Sequence, residues 1–338
     1  MKITFSILLT LLCCLTSCSK DTGKSVNPPT GLVINATINP DNSGNVSFTA
    51  SATNATTYDY DFGNGSSQTV PSGTLTYKYG FSGTYTVSVT ARNAGGQAVS
   101  KSISVTVNIA LALAWADEFN TDGAPDPSKW GYDLGAGGWG NAELEYYTSR
   151  PENAVVSGGV LKINAIKENY MGSSYTSARL ISKDKYAFKY GKVEVRAKLP
   201  AGVGTWPAIW MLGSDISTVG WPACGEIDIM EHLGRDLNKI YGTLHYPGRS
   251  GGNADGSTKT IANATTEFHK YGLEWTPAAI KISVDDEVFH IVTNSAGTPF
   301  NHDFFFILNI AMGGNFGGAV DASVTSATME IDYIKVYR

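Results

Sequence analysis

The chain has 338 residues, of which 42% are hydrophobic and 16% charged, and its formal net charge is −5. This length and apolar fraction supply enough material for a large core and for more than one domain. The acidic balance provides no basic patch, so we expect no nucleic-acid partner. Gly, Thr, Ser, Asn and aromatic residues are abundant and few apolar stripes recur at helical spacing, which predicts an all-β protein.

Residues 1–17 are typical of a secretory signal peptide. Lys2 precedes an apolar run, residues 3–15, that is too short to anchor the chain across a bilayer. The run ends in LTSC, which resembles the bacterial lipobox, where the cysteine becomes the lipidated first residue. An ordinary cleaved signal with an incidental cysteine is the alternative. We expect Cys18 to carry lipid, which predicts an exported lipoprotein at the outer membrane or cell surface of a Gram-negative bacterium.

Residues 18–30 are polar and contain a proline pair, as expected of a tether between an anchor and a folded unit. Beyond the predicted signal and Cys18, Cys224 is the one remaining cysteine, so no intramolecular disulfide is expected. Its position two residues before Glu226 would suit a nucleophile. Because no partner base is recognisable, we favour a small buried hydrophobic residue.

Residues 31–108 consist of short alternating stretches, such as NVSFTASA and TYTVSVTA, separated by turn residues. This pattern predicts a small β-sandwich. The segments YDYDFGNG and GTYTVSVTARNAGG resemble the PKD family of immunoglobulin-like modules, although the Trp and second Asp of its WxFGDG signature are replaced. The resemblance implies a spacer or weak binding module.

Residues 114–338 are expected to carry the chemistry, since six of the seven tryptophans and all five histidines follow residue 116. Alternating segments such as KYGKVEVRAKL and TWPAIWML predict one large antiparallel sandwich. Residues 135–140, GAGGWG, match the pattern GxGxxG. No apolar strand precedes them and no helix pattern follows, so we interpret them as a glycine loop that shapes the edge of a cleft.

The segment GEIDIMEH places three carboxylates, Glu226, Asp228 and Glu231, within six residues. Strand alternation puts the first two on one face and would turn Glu231 away. A β-bulge at residues 229–230 would return Glu231 to that face. The alternative is an ordinary strand with one solvent-facing acidic side. Two carboxyl groups about 5 Å apart suit a retaining glycosidase, and a wider gap suits an inverting one.

Neighbouring residues fit a sugar-binding surface. Trp206, Ala208 and Trp210 share one face of a strand and are predicted platforms for sugar rings, with core packing as the alternative for one indole. Strand alternation after Glu231 points His232 into the sandwich, where we expect a hydrogen-bonded core histidine. The C-terminal acids of MEIDYIKVYR lack a third partner, which favours a structural role.

These segments, together with WADEFN, GWGNAELEYYT, SARL, GTLHY and NIAMGGNFGG, closely resemble glycoside hydrolase family 16, and within it the laminarinase branch of endo-β-1,3-glucanases. The resemblance implies a β-jelly-roll sandwich with a substrate cleft on its concave sheet. It implies that Glu226 is the nucleophile, Glu231 the general acid/base and Asp228 the residue that tunes both, with retention of configuration. The positions that match the family's cleft are Asn141, Arg179, Trp206, Trp210, Trp221 and His245.

The resemblance implies that catalysis needs no cofactor. Many members hold a structural Ca²⁺ on the convex side, through an Asp at the position of Asp332 and backbone oxygens near the positions of Glu118 and Gly159. The motif ExDxxE favours β-1,3-glucan, because lichenase-like members carry ExDxE without the bulge. Agarases and carrageenases share the longer motif, so mixed-linkage glucan and algal galactan stay alternatives, as does a non-catalytic glycan-binding lipoprotein. Because all three acids are present, we expect an enzyme, acting as a monomer on a polysaccharide.

Overall fold

The computed structural model describes residues 27–338. The predicted signal peptide, Cys18 and most of the tether therefore lie outside the described residues. The chain divides into two compact units after Ile109. Within residues 27–338 no helix combines the length and the apolarity needed to cross a bilayer.

The first unit is a sandwich of two antiparallel sheets, with strand orders β1-β2-β5 and β4-β3-β6-β7. Its core is aromatic. Phe48, Tyr60 and Phe62 are buried, and the centroids of their rings lie within 6.0 Å of one another. The buried hydroxyl of Tyr60 donates to Gly73 O at 2.7 Å, so no unpaired polar group weakens the core at this point. The prediction of a small immunoglobulin-like sandwich is confirmed. The strands are β1 (Thr30–Ile38), β2 (Asn45–Thr53), β3 (Thr57–Asp61), β4 (Ser67–Val70), β5 (Thr74–Lys78), β6 (Gly83–Arg92) and β7 (Ala98–Val107).

The second unit is a two-sheet sandwich with almost no helix, as its alternating segments predict. A ten-stranded sheet has the order β10-β13-β12-β24-β15-β20-β21-β22, with β11 beside β12 and β8 beside β24. A seven-stranded sheet has the order β19-β18-β17-β16-β23-β14-β9. The elements are β8 (Leu113–Asp117), β9 (Gly131–Asp133), β10 (Glu145–Tyr147), β11 (Ala154–Val156), β12 (Leu161–Tyr170), β13 (Ser173–Ser177), β14 (Arg179–Ile181), β15 (Gly191–Lys198), β16 (Thr205–Gly213), α1 (Ile216–Val219), β17 (Glu226–His232), β18 (Lys239–His245), β19 (Asp255–Thr260), β20 (His269–Trp275), β21 (Ala279–Val284), β22 (Glu287–Thr293), β23 (Phe304–Met312), α2 (Gly314–Gly317) and β24 (Ser326–Tyr337).

The core of this unit lies between its two sheets. Val193 and Val195 of β15 meet Ile227 and Ile229 of β17 in one cluster of buried side chains. Full burial of one such aliphatic side chain contributes about 1.5–3 kcal/mol. Because alternate residues of each strand enter this core, the residues between them lie on the outer face, where the acids of β17 are found.

Strand β23 is buried along its whole length, FFFILNIAM. One set of its side chains, including Phe304 and Phe306, enters the main core. The other set includes Phe305 and Ile307, which form a small cluster with Cys224 on the opposite face. The prediction that Cys224 is a buried hydrophobic residue is confirmed, and burial raises the pKa of its thiol to about 11.

Strand β17 contains the predicted bulge. Asp228 pairs with Thr243 of β18 and Glu231 pairs with Tyr241, so residues 229 and 230 together oppose Gly242. Both of these bulge residues are fully buried in the main core. Two successive side chains thus point inward, and Glu231 returns to the face that holds Glu226 and Asp228.

Gly242→Ala should reduce the free energy of unfolding of this unit by about 1–3 kcal/mol, the usual cost of overpacking a core. A Cβ at this position would lie 2.9 Å from Phe289 Cζ and 3.0 Å from Ile282 Cγ2. Urea unfolding followed by tryptophan fluorescence measures the effect, since every tryptophan lies in this unit. Gly256→Ala on β19 is the matched control, because its Cβ would meet nothing closer than 3.4 Å. Equal urea midpoints of unfolding for the two variants would contradict the close packing of Gly242 against Phe289 and Ile282.

Candidate active site

The outer face of β17 carries three carboxyl groups that are largely withdrawn from water. Asp228 is 4% exposed and Glu231 8% exposed, while Glu226 is half-buried. Strand β16 lies on one side of the three acids and supplies Trp206 and Trp210. Strand β18 lies on the other side and supplies Thr243 and His245. The structure therefore brings the predicted acids, Trp206, Trp221 and His245 together.

Glu231 receives two hydrogen bonds from the flanking strands. Trp206 Nε1 donates to one oxygen at 3.0 Å, and Thr243 Oγ1 donates to the other at 3.1 Å. Burial raises the pKa of Glu231 above its usual value, and these donors oppose the rise only in part. A carboxyl group with a raised pKa keeps its proton closer to neutral pH, which a general acid requires.

Glu226 and Asp228 lie beside His245. Trp221 Nε1 donates to Glu226 at 3.0 Å, and His245 Nε2 lies 3.6 Å from Glu226 and 3.2 Å from Asp228. Burial and the Asp228 charge raise the pKa of Glu226 to about 8, while His245 and Trp221 act in the opposite direction. Burial raises the pKa of Asp228 well above its usual value. Since three close carboxylates repel one another, Asp228 is the group best placed to hold a proton and leave Glu226 ionised.

Glu226, Asp228 and His245 also have the spacing of a metal site, because their ligand atoms lie within 4.8 Å of one another. The ring orientation of His245 opposes this use. Gly251 N–H donates to His245 Nδ1 at 3.1 Å, so a neutral ring carries its proton on Nε2, the atom that faces the carboxylates. A metal ion would need the lone pair of Nε2. The arrangement suits a hydrogen-bond donor better than a metal ligand.

A stack of aromatic and cationic side chains borders the cleft beside β16. The Arg179 guanidinium lies 4.8 Å from the ring of Trp139 and 4.7 Å from that of Trp210, and Arg179 Nε donates to Asp133 at 3.0 Å. Trp139 belongs to the glycine loop and has a left-handed φ of 48°. The loop thus serves to place an indole at the cleft, in agreement with the interpretation of GAGGWG as a cleft edge.

Asn141 and Trp221 complete the predicted set. Asn141 follows Trp139 in the glycine loop, and its Nδ2 donates to Glu143 at 3.1 Å. No contact between Asn141 and the three acids is found among the described residues. Trp221 is 49% exposed although its Nε1 reaches Glu226, so about half of this residue is open to a ligand.

Several residues at this site were missed by the sequence analysis. Tyr241 and Thr243 alternate with His245 along KIYGTLH, a period of two that would have placed them on the same face. Phe316 lies 5.5 Å from Trp206 and 5.0 Å from Tyr241, with both ring pairs nearly perpendicular. These rings extend the aromatic surface beyond Glu231. Strand alternation does not mark Phe316, since it lies in the short helix α2 that follows β23.

His232 is fully buried beside the main core, which agrees with the predicted direction of its side chain. The backbone of Asp236 and Leu237 lies beside the ring as a hydrogen-bonding partner and partly offsets the effect of burial on the pKa of His232. The hydrogen-bonded core histidine stays a prediction. Burial lowers the pKa of His232, so the ring stays neutral.

Asp332 is the one side chain among the predicted calcium ligands, and its carboxylate pairs with Arg196 at 2.5 Å. Gly159, near which a backbone oxygen is expected to bind, lies in the turn between β11 and β12. The calcium site at Glu118, Gly159 and Asp332 stays a prediction.

Comparisons with known proteins agree with this geometry. The family model "Glycosyl hydrolases family 16" matches residues 142–335, and the model "PKD domain" matches residues 31–107. A β-glucanase of Rhodothermus marinus is 47% identical over 241 residues, which cover 66% of this chain and 84% of that protein. The glucan endo-1,3-beta-glucosidase A1 of Niallia circulans is 39% identical over 66% of this chain but 37% of its own length. The solved laminarinase from Rhodothermus marinus has a TM-score of 0.66 and 44% identity, over 68% of this chain and 98% of that one.

Thr243→Val should raise the pKa of Glu231 further, because it removes a donor that stabilises the carboxylate. Titration of the ¹³C carboxyl resonance of Glu231 measures the change directly. Thr260→Val, on the edge strand β19, is the control and should leave the titration unchanged. A lower pKa of Glu231 in Thr243→Val, or an equal change of this pKa in both variants, would show that the hydroxyl of Thr243 does not stabilise the charged form of Glu231.

Proposed function

Because the chain belongs to glycosyl hydrolases family 16, we propose that it hydrolyses internal bonds of a laminarin-like β-1,3-glucan with retention of configuration. The observation that carries the proposal is the bulged strand β17, which gathers three buried acids on the cleft face. The similarity to glucanases along the same domain supports the choice of polymer. The aromatic surface around Trp206 and Phe316 suits the apolar faces of sugar rings.

In the first step the Glu226 carboxylate attacks the anomeric carbon while the glycosidic C–O bond breaks. Glu231 gives its proton to the departing oxygen, so the leaving chain is released as an alcohol. Trp221 and His245 favour the charged form of Glu226 before the attack. The product of this step is a glycosyl ester on Glu226 and a Glu231 carboxylate.

In the second step the Glu231 carboxylate removes a proton from water, and the water oxygen attacks the anomeric carbon. The ester bond to Glu226 breaks, Glu226 leaves as a carboxylate and Glu231 regains its proton. Two inversions give net retention. Trp206 and Thr243 stabilise the charged form of Glu231 that exists between the steps.

Both steps use side chains of this chain alone, and catalysis in this family needs no cofactor. The structural calcium ion near Glu118, Gly159 and Asp332 stays a prediction. The expectation of a monomer stays a prediction.

Glu231→Gln should lower the rate of reducing-end release from laminarin at least about a hundredfold, the typical contribution of a positioned acid or base. Glu226→Gln should lower it at least as much, because the amide cannot form the glycosyl ester. Glu168→Gln is the control and should keep the full rate. Glu168 lies on β12 of the other sheet, where its carboxylate pairs with Arg150. In Glu231→Ala, azide should restore turnover and give a β-configured glycosyl azide. An α-configured product would rule out retention.

The same assay on lichenan, agarose and κ-carrageenan separates the alternatives. Release from a galactan alone would overturn the choice of β-1,3-glucan. Binding to laminarin without any release would indicate a glycan-binding protein, a class in which three close carboxyl groups withdrawn from water would serve no purpose.

We further propose that lipid on Cys18 holds the chain at the cell envelope; the support is the LTSC sequence after an apolar run. Cys18→Ala should move the protein from the membrane fraction to the soluble fraction and abolish labelling by an alkyne-bearing fatty acid. Cys14→Ala is the control and should leave both unchanged. Equal fractionation of the two variants would contradict the anchor.

A further inference from the structure

Two glutamates outside the catalytic row are buried in the same unit. Glu143 is 8% exposed and Glu145 is fully buried. The carboxylate of Glu143 accepts a hydrogen bond on each oxygen: Asn141 Nδ2 donates to one at 3.1 Å, and the Tyr147 hydroxyl donates to the other at 3.0 Å. Buried carboxyl groups need such partners, and the reaction derived above uses neither glutamate.

The hydroxyl of Tyr147 continues the network toward the cleft. It accepts from Asn309 Nδ2 at 2.9 Å, and Asn309 Oδ1 accepts from Trp210 Nε1 at 2.8 Å. Every donor in the series Trp210, Asn309, Tyr147 points toward Glu143. Asn141 approaches the same carboxylate from the other side, so Glu143 is the common acceptor of two branches.

Glu145 keeps this acceptor in place. Its Oε2 accepts from the backbone N–H of Met312 at 2.6 Å. Burial, followed by the neighbouring Glu143, raises the pKa of Glu145 to about 9. With Glu145 neutral at physiological pH, no charge on Glu145 competes with Glu143 for the two donor branches that end on the Glu143 carboxyl oxygens.

The loop that carries Asn141 needs such a support. Trp139 and Ala142 both have left-handed backbone conformations, with φ of 48° and 58°. Each is unfavourable in a residue other than glycine and persists only where the surroundings hold it. Glu143 holds this loop at its end, where Glu143 N donates to Gly138 O at 3.1 Å.

We propose that Glu143 is a positioning residue of the cleft, which fixes the amide of Asn141 directly and the indole of Trp210 through Tyr147 and Asn309. The inference rests on the proposed function, since Asn141 and Trp210 matter here as glucan contacts. With its N–H engaged, Trp210 offers a sugar the part of its ring that Arg179 and the small cluster around Cys224 leave uncovered. The amide of Asn141 offers its oxygen.

Glu143→Gln tests the proposal, because an amide replaces one accepting oxygen by a donor that must face another donor. We expect KM for laminarin to rise about tenfold, the effect of one hydrogen bond to a charged group, while kcat changes less than about threefold. Tyr147→Phe breaks only the Trp210 branch and should have a smaller effect. Glu168→Gln is the control and should match the unaltered chain.

NMR resonances of the ligand-free protein test the hydrogen-bond network without any substrate, so their result does not depend on which polymer the protein cleaves. The indole Nε1–H of Trp210 should shift in Glu143→Gln and Tyr147→Phe, and the side-chain amide of Asn141 in Glu143→Gln alone. Unchanged resonances in Glu143→Gln, or an unchanged KM, would overturn the proposal. If Glu143→Gln does not fold, an unaltered Trp210 resonance in Tyr147→Phe would overturn it as well. Failure of the unaltered chain to cleave laminarin would overturn the proposed function, while the resonances would still decide the network.

Discussion

The chemistry of this protein depends on removing three carboxyl groups from water on one face of a single strand. A buried charge is costly unless it is paired or hydrogen-bonded, and close like charges add to that cost. The surrounding residues meet this constraint with neutral N–H and O–H donors, Trp206 and Thr243 at Glu231 and Trp221 at Glu226. Neutral donors stabilise a carboxylate without fixing it in the charged form, so protons can still be exchanged within the group.

A comparable arrangement exists a few residues from the glycine loop. Glu143 and Glu145 form a second pair of carboxyl groups in which environment separates the two roles: one accepts from two side chains and the other is held neutral by burial. At β17 the proton must move, because each step of the reaction transfers it. In the second pair the proton stays on Glu145, because the surrounding walls must keep one shape.

Local alternation accounts for most of what the sequence could predict. The two sandwiches, the bulge at residues 229–230 and the inward direction of His232 all follow from the period of two, which depends on neighbouring residues alone. Features that join distant segments could not be found in this way. Asn309 reaches Tyr147 across 162 positions, and Arg196 reaches Asp332 across 136. The first contact reveals a support for the cleft, and the second occupies a carboxylate that was expected to bind calcium.

The contact between Gly251 and His245 has a consequence for how this cleft can diversify. The group that selects the tautomer of His245 is the backbone N–H of residue 251. No substitution at this position removes that N–H unless it introduces proline. Residues 246–253 can therefore change in size, charge and shape to suit different polymers that pass over them. The position of the imidazole proton beside Glu226 and Asp228 is preserved throughout, because it depends on the path of the chain and not on its composition.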